Sequence, residues 1–182
     1  KVADEFTTKF AKAMAALKVA PGLDEGAQLG ASVSIKERNK IAELVDASVK
    51  AGGNLKIGGQ IPQGEGAFYP ATVIEVRRDN PILAHEVFGP VAPVVTFGTD
   101  EEGIALANAT EYGLISYIYS QDLKRAIKVA ESIESGMVAI NRGVISDPAA
   151  PFGGVKQSGL GREGGFAGIH EFLETKYIGV EI

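Results

Sequence analysis

The chain has 182 residues, which is long enough for one compact domain with a substantial buried core. Its net charge of −5 argues against nucleic acid as a partner, and the absence of cysteine excludes disulfides, thiol nucleophiles and cysteine metal sites within the chain. No apolar run approaches the roughly 20 residues that cross a bilayer, so we expect no membrane partner. There is no signal-peptide pattern, and a cytoplasmic location is the default expectation.

Two helices are predicted at the start of the chain. Apolar side chains recur with the helical period through the first helix, at Phe6, Phe10, Met14 and Leu17. A capping box formed by Ser34 and Glu37 predicts where the second helix begins. Strand candidates follow at residues 55–57 and 68–76. Because helical sequence begins almost at Lys1, we expect the chain to be a fragment of a longer protein.

The middle of the chain alternates strands and helices. Strands are predicted at residues 91–97, 114–119 and 137–140. Thr99 is expected to cap the helix between the first two strands, and Ser120 the helix between the last two. This β-α-β-α-β order with short connections predicts an α/β fold with a mainly parallel sheet and flanking helices.

A glycine-rich stretch at residues 142–168 breaks the alternation. It contains a G-x-G-x-x-G pattern from Gly159 to Gly164. A dinucleotide-binding fingerprint needs a strand directly before it and a βαβ unit around it, and neither is present, so we predict a tight turn instead. Residues 177–180 look like a strand at the C-terminus, where an exposed edge favours pairing with another chain.

Few residues outside the glycines suggest chemistry. His85 and His170 are the only histidines and lie far apart in sequence, so no metal site is expected. Glu86 and Phe88 stand just before a Gly-Pro turn and can both face one ligand. A carboxylate suits a ribose diol and an aromatic ring suits a planar group. By composition alone, a surface acid beside a core phenylalanine is the commoner arrangement.

Three motifs occur in a fixed order: EVFGP at residues 86–90, NATEYGL at 108–114 and PFGGVKQSGLGREG at 151–164. Together they resemble the C-terminal part of the aldehyde dehydrogenase superfamily, and the resemblance covers nearly the whole chain. SYIY at 116–119, VIS at 144–146 and ETKY at 174–177 resemble its succinate-semialdehyde dehydrogenases. Arg142 departs from the smaller or acidic residues usual in the family, which leaves the exact aldehyde open.

The resemblance implies NAD(P)-dependent oxidation of an aldehyde, succinic semialdehyde, to the acid through a cysteine thiohemiacetal and thioester. The cysteine, the general base, the oxyanion-hole asparagine and the Rossmann domain are expected upstream, so the chain alone should be inactive. Glu86 is expected to bind the nicotinamide-ribose hydroxyls and Phe88 to lie beside the nicotinamide. Ser146 and Phe152 match positions of the substrate pocket.

The resemblance also implies an organisation for the chain. Residues 1–171 are expected to belong to the catalytic domain, and residues 172–182 to form an oligomerisation strand that joins a partner subunit's sheet in a homo-oligomer. Two alternatives stay open: a non-catalytic assembly module that uses this strand, and an aldehyde dehydrogenase of other aldehyde specificity. The choice between NAD and NADP is also open, because the residues that distinguish them would lie upstream.

Overall fold

The computed structural model describes residues 2–182. The length favours one compact domain, but the chain folds as two compact units, of which the first ends at Thr96 and the second runs from Phe97 to Ile182. Each unit has its own helices and sheet strands. Among the described helices, none combines the length and hydropathy that a membrane crossing requires.

The first unit begins with two helices, α1 (Ala3–Ala15) and α2 (Ile35–Lys50). Ser34 caps α2 as predicted, and its hydroxyl accepts a hydrogen bond from the backbone N–H of Glu37 at 3.2 Å. The predicted first helix is present, and of its apolar stripe Phe10, Met14 and Leu17 are half-buried whereas Phe6 is exposed. Small residues, Thr7 and Ala11, face the interior, while Phe6 is 54% exposed and stacks on Phe10. The small side chains let α1 lie close to the neighbouring strands.

The sheet of the first unit has three strands: β1 (Asn54–Ile57), β2 (Thr72–Glu75) and β3 (Val91–Val94). The central strand β2 is antiparallel to β1 and parallel to β3. The strand predicted at 91–97 is therefore shorter than expected. It also pairs inside this unit, which corrects the prediction of a single sheet that it would share with 114–119 and 137–140.

The core of the first unit lies between α2 and β2. Ile41 and Val45 of α2 pack in one cluster with Ile74 and Ile82. Tyr69 is buried in the same cluster, and burial raises the pKa of its hydroxyl to about 12. This packing fixes the position of a short 3₁₀ helix, Pro81–Ala84, that leads into the EVFGP motif.

A buried asparagine holds this 3₁₀ helix in place. The Asn80 side chain accepts from the backbone N–H of Ile82 at 3.2 Å and donates to the carbonyl of Ser48 at 3.1 Å. It therefore caps the 3₁₀ helix and ties it to α2 at the same time.

The second unit contains α3 (Asp100–Asn108), β4 (Tyr112–Gly113), β5 (Ile115–Ile118), α4 (Leu123–Ser132), β6 (Met137–Ile140) and β7 (Val155–Lys156). Strands β5 and β6 are parallel with α4 between them, as predicted. Strands β4 and β7 form a separate antiparallel pair. The α/β class is confirmed, but the strands of the two units form three small sheets of mixed direction rather than one mainly parallel sheet.

Helix caps in the second unit were predicted with one error. Thr99 caps α3 by accepting from the N–H of Glu102 at 3.2 Å. Helix α4 is capped by Asp122, which accepts from the N–H of Arg125 at 3.0 Å, and not by Ser120. Ser120 instead accepts from the N–H of Asp122, because it lies two residues before the N-cap position and does not reach the first turn.

An ion pair joins the first turns of the helices α3 and α4. The Nε atom of Arg125 donates to Asp100 at 2.8 Å, and a second guanidinium nitrogen contacts the other carboxylate oxygen. These hydrogen bonds hold the pKa of the Asp100 carboxyl below its ordinary value.

The C-terminal residues 173–182 form neither helix nor strand, and each of them is exposed. They follow a second 3₁₀ helix, Gly168–Phe172. The predicted terminal strand is thus not formed within the described chain, and pairing with another subunit stays a prediction.

Backbone segments approach each other closely at the start of β6. A Cβ atom at Gly136 would overlap the carbonyl oxygen of Gly153 and lie 2.8 Å from the Cα of Gly154. We therefore expect Gly136→Ala to lower the free energy of unfolding by about 2 kcal/mol or more, because the glycine loop must move away. Chemical denaturation followed by circular dichroism measures the loss.

Gly143→Ala is the matched control for that substitution. The nearest atom to its new methyl group is the Tyr119 hydroxyl at 3.6 Å, an ordinary contact. Equal stability of the two variants would contradict the close approach at Gly136.

Candidate functional site

The EVFGP motif lies on a loop between the 3₁₀ helix and β3 in the first unit. Backbone bonds fix this loop: Gly89 donates to Val87 at 2.8 Å, and the Pro90 carbonyl accepts from Thr72 at 2.8 Å. A Cβ atom at Gly89 would overlap the Ile41 side chain of α2. Glycine at this position therefore lets the loop lie directly against the helix.

The side chains on either side of Val87 are turned out of the core. Val87 packs against the core cluster, whereas Glu86 is exposed and Phe88 is 82% exposed. Phe88 is therefore not a core residue, so the motif is not a surface acid beside a core phenylalanine. Within residues 2–182 the Glu86 carboxylate takes part in no recorded hydrogen bond or ion pair.

Glu86 and Phe88 present a carboxylate and an exposed aromatic ring from one loop. An unpaired carboxylate offers acceptors to the two hydroxyls of a ribose, and an exposed aromatic ring offers a flat apolar face to a planar ring. Gly89 lets this loop lie against α2, and Val87 packs on the core cluster, so Glu86 and Phe88 project from a segment in contact with the core.

The second unit contains a cavity of about 200 Å³ beside β6. Its walls are mostly apolar, with one carboxylate. The lining residues are Met137, Val138, Ile145, Asp147, Ala150, Pro151 and Phe152. Phe152, predicted as a substrate-pocket residue, is therefore in the wall. Ser146 does not line the cavity, but it lies between two residues that do and is exposed.

Two cationic side chains hold the loop that carries Phe152. One terminal nitrogen of Arg162 donates to the carbonyls of Gly154, Leu160 and Gly161 at 2.6, 2.9 and 2.9 Å. Its neighbour Glu163 exchanges two backbone hydrogen bonds with Phe152, at 2.7 and 2.8 Å. Arg162 therefore organises the loop that sets the position of this cavity wall.

Lys156 attaches the same loop to α3. Its ammonium donates to the carbonyls of Asn108 at 2.9 Å and Thr110 at 3.1 Å, and pairs with the Glu134 carboxylate at 2.6 Å. No motif or spacing in the sequence pointed to Lys156 or Arg162 individually. The sequence does show that each is a long cationic side chain inside a glycine-rich stretch. In such a stretch backbone carbonyls are the most numerous hydrogen-bond acceptors, so both side chains could be expected to bind them.

The G-x-G-x-x-G pattern and the two histidines do not come together in a common site. Gly159 and Gly164 have φ of +93° and +71°, which confirms that the G-x-G-x-x-G pattern forms turns. His85 and His170 are both exposed and lie in different units. Across residues 2–182, no three His, Asp or Glu side chains gather where they could hold a metal ion.

Comparison with known proteins gives a consistent result. The sequence pattern of the aldehyde dehydrogenase family matches residues 1–178. The chain is 53% identical over 180 residues to a succinate-semialdehyde dehydrogenase of Paenarthrobacter nicotinovorans, covering 98% of the chain and 40% of that protein. It is 42% identical to a glutarate-semialdehyde dehydrogenase of Pseudomonas putida, covering 100% of the chain and 38% of that protein.

Solved structures agree with this result. A succinate-semialdehyde dehydrogenase from Burkholderia pseudomallei matches with a TM-score of 0.89 at 43% identity, covering 94% of the chain and 36% of that protein. A betaine aldehyde dehydrogenase of Staphylococcus aureus in complex with NAD⁺ matches with a TM-score of 0.91 at 36% identity, covering 97% of the chain and 37% of that protein. A glyceraldehyde-3-phosphate dehydrogenase of Methanocaldococcus jannaschii complexed with NADP matches with a TM-score of 0.86 at 37% identity, covering 93% of the chain and 37% of that protein.

The chain thus spans about two fifths of the curated relatives it matches. The resemblance inferred from three ordered motifs, including the resemblance to succinate-semialdehyde dehydrogenases, is confirmed. The chain belongs to the aldehyde dehydrogenase family.

Proposed function

We propose that this chain is the C-terminal part of an NAD(P)-dependent aldehyde dehydrogenase that oxidises succinic semialdehyde to the acid. The observation that carries the proposal is the 53% identity to a succinate-semialdehyde dehydrogenase over nearly the whole chain. The exposed Glu86 and Phe88 on a fixed loop support a role in cofactor binding. Glutarate semialdehyde is the second candidate substrate, because a relative named for it is 42% identical.

In this proposal the first unit contributes to cofactor binding. Glu86 accepts hydrogen bonds from the nicotinamide-ribose hydroxyls, and Phe88 lies beside the nicotinamide. The bound NAD or NADP supplies the hydride acceptor for the oxidation. Solved relatives contain either nucleotide, so both stay candidates.

The second unit contributes to substrate binding. Phe152 supplies an apolar wall for the carbon chain of the aldehyde, and Ser146 supplies a hydroxyl at the edge of the cavity. The chain contains no cysteine, so the nucleophile, with the general base and the oxyanion-hole asparagine, is expected outside it.

The first experiment compares the full-length protein that contains this chain with the chain alone. We expect the full-length protein to reduce NAD or NADP when succinic semialdehyde is added, and the chain alone to show no turnover, because it has no thiol. The absorbance of the reduced nicotinamide measures both. Turnover that scales with the chain alone would refute the proposal that the nucleophile lies outside this chain. An inactive full-length protein would refute the proposed activity.

The second experiment tests the cofactor contact. In the full-length protein we expect Glu86→Gln to raise the dissociation constant for the nucleotide by about 5- to 30-fold, since the amide keeps the shape but loses the charge that strengthens both ribose hydrogen bonds. Fluorescence titration of the bound nucleotide measures it. Glu65→Gln, at an exposed loop position of the same unit, is the matched control. Equal affinity of both variants would count against Glu86.

The C-terminal segment is proposed to act in assembly. The catalytic portion of the chain ends at residue 171 in this proposal. Residues 172–182 follow it as a separate segment that adds as a strand to the sheet of a neighbouring subunit. The segment is exposed throughout and rich in apolar side chains: Leu173, Tyr177, Ile178, Val180 and Ile182. Such an uncovered apolar segment favours self-association and also supports the alternative of a non-catalytic assembly module.

The third experiment removes this segment. We expect the chain to be larger than a monomer in light scattering, and deletion of residues 172–182 to lower its mass. Val180→Lys should weaken assembly by placing a charge in the pairing segment, while Glu181→Lys keeps every apolar side chain and serves as control. A monomer at high concentration with and without the segment would mean that it plays no part in assembly.

A further inference from the structure

Most of the cavity wall in the second unit belongs to one stretch of chain, residues 142–155, which we call the wall segment. It lies between Asn141, which follows β6, and Lys156, which ends β7. Five of the residues that line the cavity fall within it, between positions 145 and 152. Residues 142–151 form neither helix nor strand. A wall without secondary structure of its own depends for its shape on how its two ends are held.

The two residues that bracket the wall segment share an unusual backbone conformation. Within residues 2–182, only Asn141 and Lys156 have a positive φ without being glycine, and φ is +54° at both. A residue with a Cβ atom adopts this conformation at a cost, and the conformation persists where surrounding contacts hold it. Glycine supplies the positive φ at Gly159 and Gly164 of the same unit. The side chains at positions 141 and 156 are therefore present despite the backbone cost, which points to a use for each of them.

The Asn141 side chain holds the first end of the wall segment. Its Oδ1 atom accepts from the backbone N–H of Ser120 at 2.9 Å, and its Nδ2 atom donates to the Ser120 carbonyl at 2.8 Å. The backbone N–H of Asn141 also donates to the carbonyl of Ile118, the last residue of β5, at 2.8 Å. An amide can both donate and accept, so this side chain continues the β5–β6 pairing beyond the strand and fixes where the chain leaves β6.

The Lys156 side chain holds the second end. Its ammonium has three donors and contacts three oxygens, the carbonyls of Asn108 and Thr110 and the carboxylate of Glu134. Asn108 is itself tied to the end of α4, because its side chain donates to the Ser132 carbonyl and accepts from the N–H of Glu134, each at 2.9 Å. Lys156 therefore attaches the wall segment to the place where α3 and α4 end.

We propose that Asn141 and Lys156 are positioning residues, whose side chains hold the two ends of the wall segment and so set the shape of the cavity that receives the aldehyde. This inference rests on the proposed function, in which the cavity holds the carbon chain of the substrate. Both residues act through the wall, because neither is among the residues that line the described cavity. Ile145 lies four residues after Asn141, and Phe152 lies four residues before Lys156.

The first test measures how often the wall segment opens in the full-length protein without substrate. Asn141→Gly removes the side chain but permits the positive φ, and Lys156→Met keeps the length of the side chain but removes the ammonium. In hydrogen exchange followed by mass spectrometry, each variant should speed exchange of peptides within residues 142–155 by at least about 3-fold and leave α2 unchanged, because only one end of the segment is released.

Lys124→Met is the matched control, because it removes a positive charge from an exposed position on α4. It should leave the exchange of the wall segment unchanged. Unchanged exchange of the wall segment in either Asn141→Gly or Lys156→Met would overturn the proposal. Exchange that rises equally in α2 would show a general loss of stability and would also overturn it.

The second test determines whether the position of the wall governs substrate binding. In Asn141→Gly and Lys156→Met of the full-length enzyme, KM for succinic semialdehyde should rise by about 5- to 30-fold while kcat stays within about 3-fold, because a displaced wall binds the carbon chain less well. The dissociation constant for the nucleotide should not change. Lys156→Arg keeps a cation that can donate to the same oxygens, so its KM should lie between those of the wild type and Lys156→Met. A lower kcat at an unchanged KM would indicate less folded enzyme and would contradict a positioning role.

The two tests also separate failure of this inference from failure of the proposed function. If the full-length protein oxidises neither succinic nor glutarate semialdehyde, the proposed function is wrong, and hydrogen exchange still decides whether Asn141 and Lys156 hold the wall segment. If the enzyme is active and the wall segment opens more often in the variants, but KM is unchanged, the shape of the wall does not govern substrate binding and the positioning role is overturned.

Discussion

The second unit depends on backbone contacts that only glycine permits. Gly136 lies against Gly153 and Gly154, and Gly113 lies against the carbonyl of Glu134, so the strand pair β4–β7 packs on the chain leading into β6 without any side chain between. This arrangement brings the glycine loop beside β6 and lets Phe152 complete a cavity with residues of that strand. A methyl group at the tightest of these positions would separate the cavity wall from its floor.

Glycine residues have no side chains that can pack, so in this segment cationic side chains hold the backbone by donating hydrogen bonds to its carbonyls. Arg162 gathers carbonyls within the loop, and Lys156 ties it to the end of α3. The third long cation of this region, Arg142, makes a single contact with the protein. Two of these three side chains therefore use several donors to hold the fold, whereas Arg142 uses one.

The sequence predicted features that depend on neighbours along the chain, such as the caps at Ser34 and Thr99 and the parallel pair formed around α4. It did not predict which strands share a sheet, because β3 finds its partner in β2, and strand pairing is decided by contacts between distant residues. The family motifs pointed to Glu86, Phe88, Ser146 and Phe152, while the scaffolding roles of Lys156 and Arg162 became visible only with the carbonyl groups in place.

Lys156 also links distant parts of the chain during folding. The last turn of α3 has no glycine cap, and the carbonyls of Asn108 and Thr110 are satisfied by an ammonium that lies 48 and 46 residues further along. The Asn108 carbonyl also accepts from the N–H of Thr110 at 2.8 Å, so the ammonium adds a second, long-range hydrogen bond at the end of this helix. Because this long-range contact forms only when Lys156 reaches α3, it couples the end of the helix to the segment that carries the cavity wall. A helix that looks local in sequence thus belongs to a cooperative unit with high contact order.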